Sequence, residues 1–476
     1  MGCNVWLASG KGVKRMREES AIFKGILSSV GFGLVLAFPA ALFANTAQSV
    51  VLFQEWATYS FYSIQVIALA VFAITSRYIA DKMQNARGII AVAALAGCGV
   101  VLGFVAQIAP SCALVLFLIG NVFSATGCSL ITLCWMEYFS HMSVHRVAIA
   151  LAGSFAISSL TQGILSFVSS ELVVAFVLAV ALPVSVLLLM YVNCSSQNEP
   201  VSSGETISYE WSFPLRPVVL YGMFIFAYKV SLNLLPEEDK SLAIAVGSFV
   251  GAIAVLAVLI LRGKKFDIGL LYKGSLPLIV AGLLCIVEAG VVSPVVGVGT
   301  IVSARVLFAI FMITALCNIC FRNGISAFWL FAIVNAITRV ASLLANWTTA
   351  SPLNGAGADT LYLFVIAVIV VLLCVFVAFM SNEGSEASWG IRPKHDEASP
   401  SVLDDTNALH KVARAYNLTL REEEVAFLRI RKLTIPQIMK ELVVSQATVK
   451  SHINRIYKKT DTHSVEELTQ LIEHYR

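Results

Sequence analysis

Charge is what this chain lacks. Only 13% of its 476 residues are Asp, Glu, Lys or Arg, about half the share usual in soluble domains. With 58% hydrophobic residues and a mean hydropathy of +0.81, the deficit excludes a chain that folds wholly in water and implies a lipid bilayer as its main solvent. The shortage is uneven. Of 33 Lys and Arg, 14 fall in the last 96 residues and 19 in the first 380. The body is therefore almost uncharged and the tail is ordinary. The net charge of +4 averages two unlike parts and identifies no partner.

Other absences narrow the function. There is no P-loop, no kinase motif, no phosphoacceptor receiver pattern and no catalytic constellation, so the chain does not read as an enzyme, and a tail driven by phosphorylation within the same chain is not expected. No carboxylate falls in the middle of an apolar run. Proton-driven transporters generally keep a titrating acid on their path, so this absence favours ligand binding over pumping. The ten cysteines make no disulfide framework. Cys98, Cys112, Cys128, Cys134, Cys285 and Cys374 sit in apolar runs, where Cys acts as a small hydrophobe. Cys317 and Cys320 form a lone CxxC with no second pair and no nearby His. The tail has no Cys, which suits a reducing cytoplasm. Glu137, His141 and His145 are spaced by four and would share a helix face, but exposed loop histidines usually bind nothing. No metal and no cofactor is expected.

A membrane-crossing helix needs about 20 apolar residues. Such runs occur near 25–44, 58–76, 88–108, 112–134, 147–168, 172–193, 217–235, 241–261, 274–291, 296–318, 324–345 and 360–380. The first is longer than the apolar core of a signal peptide and lacks its small-residue cleavage pattern, so it is expected to be retained. With the N-terminal segment 1–24 in the cytoplasm, the inner loops hold fifteen Lys and Arg and the outer loops hold only Lys240. That bias orients a multi-pass protein of the cytoplasmic membrane. An even number of spans then returns the chain to the cytoplasm near residue 381. The polar loop 194–216 divides the body 25–380 into six spans on each side. Residues 381–403, rich in Ser, Glu, Gly and Pro, read as a flexible linker with a reach of roughly 25 Å, ahead of a small domain over 404–476.

Each half carries a basic loop after its second span: Arg77, Asp81, Lys82 and Arg87 in the first, Arg262, Lys264, Lys265 and Asp267 in the second. Two six-helix halves with matching basic loops resemble the major facilitator superfamily. That family's first-loop motif is only partly kept. Asp81, Lys82 and Arg87 match it, but Arg77 stands where it has Gly, and Gln84 and Asn85 stand where it has Gly-Arg. Since that motif normally locks the halves together during transport, its loss argues against transport more than against the fold.

The tail is rich in helix signals. Thr419 and Glu422 form a capping box, ahead of Val425, Phe427 and Leu428 on an inner face. Thr434 caps a second helix with Pro436 in its first turn and Ile438 and Leu442 inward. Ser445 caps a third, with Val449, Ile453, Ile456 and Tyr457 inward. Ser464 caps a fourth, with Leu468, Leu471 and Ile472 apolar. This is a helix-turn-helix arrangement. Twelve basic and ten acidic residues from Asp404 onward do not by themselves decide for or against DNA binding. The pattern does: Leu418-Thr419, Arg421-Glu422, then Ser445, Thr448-Val449-Lys450 and His452, then Ile456 and Lys459, resembles the LuxR/NarL-type four-helix DNA-binding domain of bacterial regulators. The resemblance implies that the third helix enters the major groove. Lys450, Ser451 and Asn454 would then face bases, and Thr448, Arg455, Lys458 and Lys459 would meet phosphates. It also implies a homodimer on DNA through Val465, Leu468 and Leu471 of the fourth helix. Lys432 stands where the family has Gly, Thr434-Ile435-Pro436 replaces its Ser-Asn-Lys run, and Met439 its Ala.

Ionisable residues inside a membrane are costly and tend to be functional. Three fall within the expected spans: Lys229, Arg305 and Arg339. Lining a cavity between the halves, they would favour an anionic or electron-rich small molecule. Asn121, Gln162 and Asn335 would add hydrogen bonds or join helices. The sequence thus leads to an all-α protein: twelve transmembrane helices and a four-helix promoter-DNA-binding head. Two readings stay open, a one-component transcription regulator sensing a small molecule and a major-facilitator-like transporter with a regulatory head.

Overall fold

In the computed structural model, described positions cover most of residues 22–350 and 409–474; residues 1–21, 40–53, 197–212, nearly all of 351–408 and several short stretches lie outside them. The chain divides into two compact units, Met1–Pro393 and Lys394–Arg476. Among the described residues the regular structure is entirely helical.

Eleven described helices make the body: α1 (Ile22–Pro39), α2 (Gln54–Met83), α3 (Ala86–Ile108), α4 (Ala113–Ser140), α5 (Val144–Ser166), α6 (Glu171–Ser196), α7 (Leu215–Asn233), α8 (Glu237–Arg262), α9 (Gly269–Val287), α10 (Pro294–Asn323) and α11 (Ala327–Ala350). Eight are long and apolar enough to cross a membrane, and three more are shorter apolar helices. The expected twelfth span, 360–380, the linker 381–403 and most of the central loop lie outside the described residues. Several helices outrun the apolar stretches that announced them. The α2, α4 and α10 helices reach Met83, Ser140 and Asn323, because hydropathy marks only the part that crosses hydrocarbon. That extension brings Glu137 inside α4 and buries Cys317 and Cys320 within α10.

The packing repeats with an offset of six helices. The pairs α3–α4, α2–α4 and α2–α11 recur as α9–α10, α8–α10 and α5–α8. The α7–α11 contact has its counterpart in α1 against α5, where Ser29 donates to the Ala150 carbonyl at 3.1 Å. The two halves therefore meet along α2–α11 and α5–α8. Ring packing of Phe32 on Phe139 at 5.4 Å and of Phe224 on Phe308 at 4.1 Å fills the inside of each half.

Close helix approach rests on small residues, as expected where lipid offers no hydrophobic drive between helices. A Cβ on Gly120 of α4 would lie 2.8 Å from the Gly99 carbonyl oxygen and 2.9 Å from the Gly103 nitrogen of α3. The offset pair is built alike: a Cβ on Gly297 of α10 would lie 2.8 Å from the Gly282 oxygen of α9. Outside, large apolar side chains stand free, among them Ile74 at 84%, Leu261 at 83% and Phe167 at 88% exposure. Water would not tolerate such a surface, and a bilayer requires it.

The head has a separate core of Leu409, Val412, Val425, Ala426, Leu428, Ile438, Val449, Ile453, Ile456, Leu468 and Ile472. Its fully bounded helices are α12 (Leu420–Ile430), α13 (Gln446–Thr460) and α14 (Val465–His474). Of the second helix, Ile435 and Ile438 are described and helical. Residues Leu442 to Ser445, the expected turn and cap, lie outside the described set.

Gly120→Ala is expected to cost about 1–3 kcal/mol by overpacking, whereas Gly103→Ala, whose new Cβ meets nothing within 4 Å, should be tolerated. Melting of the two purified variants in one detergent checks this. Equal melting temperatures would show that the α3–α4 seam is looser than its geometry.

Candidate functional site

The three cations of the body converge. Lys229 Nζ lies 5.4 Å from the Tyr62 ring and 5.8 Å from the Tyr228 ring. The Arg339 guanidinium lies 5.4 Å from the Tyr62 ring as well, and that of Arg305 lies 4.8 Å from Tyr228 and 5.7 Å from Phe155. The result is an alternating ladder: Arg339, Tyr62, Lys229, Tyr228, Arg305, Phe155. Tyr62 and Phe155 come from α2 and α5, and the cations come from α11, α7 and α10, so the ladder crosses between the halves. All three cations are half-buried. No described carboxylate pairs with any of them, and Arg305 Nε and Arg339 Nε are buried with no hydrogen-bond partner. On α2, one turn from Tyr62, buried Gln65 also leaves its Oε1 without a partner.

The rungs offset only part of the cost. A cation–π contact is worth about 0.5–2 kcal/mol, against several kcal/mol to desolvate each ion. Sequence reasoning found the cations and missed their rings. Tyr62 lies four residues inside the expected span 58–76, where a tyrosine passes for an interfacial one, so nothing in the sequence marked it. Lys229 sits nearer the end of α7 than the sequence placed it, yet it turns inward onto the rings. Asn121 donates to Ser60 of α2 at 2.9 Å, and Gln162 donates to Ser158 of its own helix at 2.9 Å. Both are structural contacts.

At one end of the bundle the halves are joined by a carboxylate. Glu137 Oε2 accepts the Phe328 backbone N–H at 2.9 Å, in the first turn of α11. An acidic group there meets the positive end of the helix dipole. His141 Nε2 is 3.8 Å from Glu137 Oε1. His145 belongs to α5, so the three residues do not share one helix face as their spacing implied. Among the described residues no group of three His, Cys, Asp or Glu is placed to hold a metal.

In the head the capping box forms as read: the Thr419 N–H donates to Glu422 Oε2 at 2.9 Å, and the Glu422 N–H to Thr419 Oγ1 at 3.3 Å. Lys459 Nζ donates to the same carboxylate at 2.7 Å. Burial pushes the Glu422 carboxyl up, but Lys459 and the two Thr419 groups outweigh it and hold the carboxyl below its ordinary range. Along α13, Val449, Ile453 and Ile456 are buried while Lys450, Ser451, Asn454, Arg455, Lys458 and Lys459 are exposed and Thr448 is half-buried. The helix ends on Asp461 in the left-handed region, φ 53°, where the Thr462 N–H reaches the Tyr457 carbonyl at 3.1 Å. Leu468 lies in the head's own core, and Val465 and Leu471 keep partial exposure. Of the three residues expected on a dimer face, only those two stay open on α14.

The family of bacterial regulatory proteins, luxR family, matches residues 416–472. The head is a LuxR-type DNA-binding domain. No curated protein matches the chain significantly. Among solved structures, the major facilitator superfamily proton:xylose symporter XylE bound to 6-bromo-6-deoxy-D-glucose is 14% identical, with a TM-score of 0.58, over 78% of this chain and 99% of that one. A bacterial homologue of the iron transporter ferroportin in its outward-facing state is also 14% identical, with a TM-score of 0.54, over 75% of this chain and all of that one. At this identity the likeness shows the fold: a major-facilitator-type body carries a LuxR-type head. Leu409 and Val412, buried in the core of that head, precede the matched region. They extend the LuxR-type domain by a packed segment whose apolar positions carry no cap or motif in the sequence.

Glu422, with its depressed pKa, stabilises the head above its unfolded pKa, and that contribution is lost as pH falls through the lower folded value. Melting of the LuxR-type head should therefore be flat at neutral pH and fall on acidification. Glu422→Gln should remove that part of the fall. Lys459→Met should lower the melting temperature as well as DNA affinity. Weaker DNA binding at unchanged melting would mean that Lys459 serves only phosphate.

Proposed function

We propose that this protein is a one-component transcription regulator of the cytoplasmic membrane. Its body binds a small anionic or electron-rich molecule between the halves, and its LuxR-type head binds promoter DNA from the cytoplasm. The observation that carries the reading is the union of two features in one chain: a head with an exposed basic recognition face, and a body that holds three cations between its halves with no described carboxylate beside them. Fifteen Lys and Arg on one side against Lys240 on the other support cytoplasmic termini. In this reading Lys450, Ser451 and Asn454 read bases, Arg455, Lys458, Thr448 and Lys459 meet phosphates, and Val465 and Leu471 pair two heads on an inverted repeat. The segment 381–403 tethers the head. A ligand shifts the head only by binding one arrangement of the body better than another. The interfaces α2–α11 and α5–α8, with the Glu137–Phe328 link, are the element it would bias.

The second reading, transport with a fused regulatory head, draws on the fold that the body shares with the xylose symporter. A deletion strain separates the two. Under the regulator reading, RNA profiles change and the change is restored by a copy with an intact head but not by one with Lys450→Ala. Under the transport reading, uptake changes and the Lys450→Ala copy restores it.

A cytoplasm-only reporter fused after Met380 should be active, and one placed at Gly355 should be silent. The reverse pattern would turn the head away from DNA and end the proposal.

On the purified head, Lys450→Ala should lose discrimination between sites by about 1–3 kcal/mol. Lys458→Ala should weaken all sites alike and flatten the salt slope by about one unit. Unchanged site preference in the Lys450 variant would remove α13 from the groove.

A further inference from the structure

Resting on the sensing role just proposed, we infer that the body's ligand is an organic oxyanion carrying at least two negative charges beside a flat apolar framework. Four observations lead there. First, Lys229, Arg305 and Arg339 are linked through shared rings and face no described carboxylate. Among the described residues, the groups found close to them are uncharged: Tyr62 from α2, Cys128 from α4, Phe155 from α5, and Tyr221 and Tyr228 from α7. A singly charged ligand would leave two cations uncompensated at low dielectric.

Second, both arginines keep Nε buried and unpaired. Guanidinium binds carboxylate and phosphate side-on through Nε and one terminal nitrogen, in two parallel hydrogen bonds. Two vacant edges on two helices fit two oxyanion groups, or two faces of one phosphate. A neutral sugar or amide supplies no charge to meet them.

Third, the walls between the charges are rings. Tyr62 and Tyr228 each lie between two cations, and Phe155 closes one end of the ladder. A flat framework stacks in the places those rings define and keeps the ligand's charged ends apart. A compact inorganic ion would leave the rings unused.

Fourth, the cations all stand on the second half, while Tyr62 and Phe155 stand on the first. An anion drawing the cations onto itself competes with the cation–π contacts that bridge α2 to α11 and α7, and α5 to α10. Binding thus acts on the seam between halves rather than within one of them. Carboxylate and phosphate ligands share this chemistry, and the test separates them.

The full-length protein in detergent or nanodiscs is melted against a charge series on one ring scaffold: dimethyl isophthalate (neutral), benzoate (one charge), isophthalate (two carboxylates) and phenyl phosphate (a phosphate monoester). Isophthalate or phenyl phosphate should raise the melting temperature progressively with concentration, benzoate weakly and the diester not at all. The better of the two names the oxyanion. Each of Arg305→Met and Arg339→Met should weaken the dianion's effect at least about tenfold, since one hydrogen bond to a charged group exceeds that step. Without ligand, those variants should melt no lower than the wild type, because an unneutralised cation has been removed. Equal stabilisation by the neutral diester, or no response to either dianion, overturns the inference. So does a loss of ligand-free stability in both variants, which makes the arginines structural. Promoter output is read in parallel. Dianion binding without any promoter response would retain the ligand class and sink the sensing role. A promoter that answers the diester while the dianions fail to bind would do the reverse.

Discussion

Hydrocarbon tolerates charge poorly, and the body is arranged by that fact. Each ion moved from water into a low-dielectric interior costs several kcal/mol after relaxation, so a membrane chain puts its cations where water remains. On the sequence reading of the spans, fifteen of the nineteen Lys and Arg in the first 380 residues fall toward one face and one toward the other. The three exceptions do not scatter. They gather on a single ladder of aromatic rings between the two halves, and no described carboxylate pairs with them. The economy that empties the rest of the body of charge makes this cluster hard to read as incidental.

Glycine sets the distances on which the ladder depends. The seams α3–α4 and α9–α10 close to backbone contact because Gly120 and Gly99 on one side, and Gly297 and Gly282 on the other, carry no Cβ. Ser303 of α10 also donates to the Gly247 carbonyl of α8 at 2.7 Å. These contacts give α10 a fixed position, and Arg305 rides on it. The other two cations are placed by α7 against α11, where Asn233 donates to Asn346 at 3.0 Å and to Thr349 at 2.8 Å. Each half is thus held by polar and small-residue contacts, while the seam between halves, packed along α2–α11 and α5–α8, carries the rings and, among the described residues, the Glu137 carboxylate at a helix end.

Much of this was legible in the sequence, for physical reasons that differ between the two units. The head announces itself because each cap and core position is a local signal. The Thr419–Glu422 box and the buried series Val449, Ile453 and Ile456 needed nothing beyond helical spacing. What the head hid was non-local: Lys459 folding back onto Glu422 across 37 positions, and Leu468 turned inward rather than toward a second copy. In the body, periodicity says little, since every face of a span is apolar. Hydropathy gave the spans but not their full length, and it placed Lys229 too far from a helix end. The rings around the cations were invisible because Tyr62 and Phe155 lie in helices remote in sequence, joined to α7, α10 and α11 only by the packing of the two halves.

The same packing makes α11 the element on which the body's two polar features meet. Arg339 on its middle reaches the Tyr62 ring of the first half, and the Phe328 N–H at its start is held by Glu137, also of the first half. A helix that packs along α2 and is tied by its first turn to α4 cannot shift at one place without loading the other. An anion that pulls Arg339 off Tyr62 would shift load onto the packing against α2 and onto the Glu137 hydrogen bond, itself worth about 1.5–3 kcal/mol as a bond to a charged group. That is within reach of the differential affinity a ligand supplies when it moves a protein between two states. A transporter uses such a balance to open each side in turn. In the regulator proposed above, the same balance would serve a different output, a change in the body that a bound ligand favours.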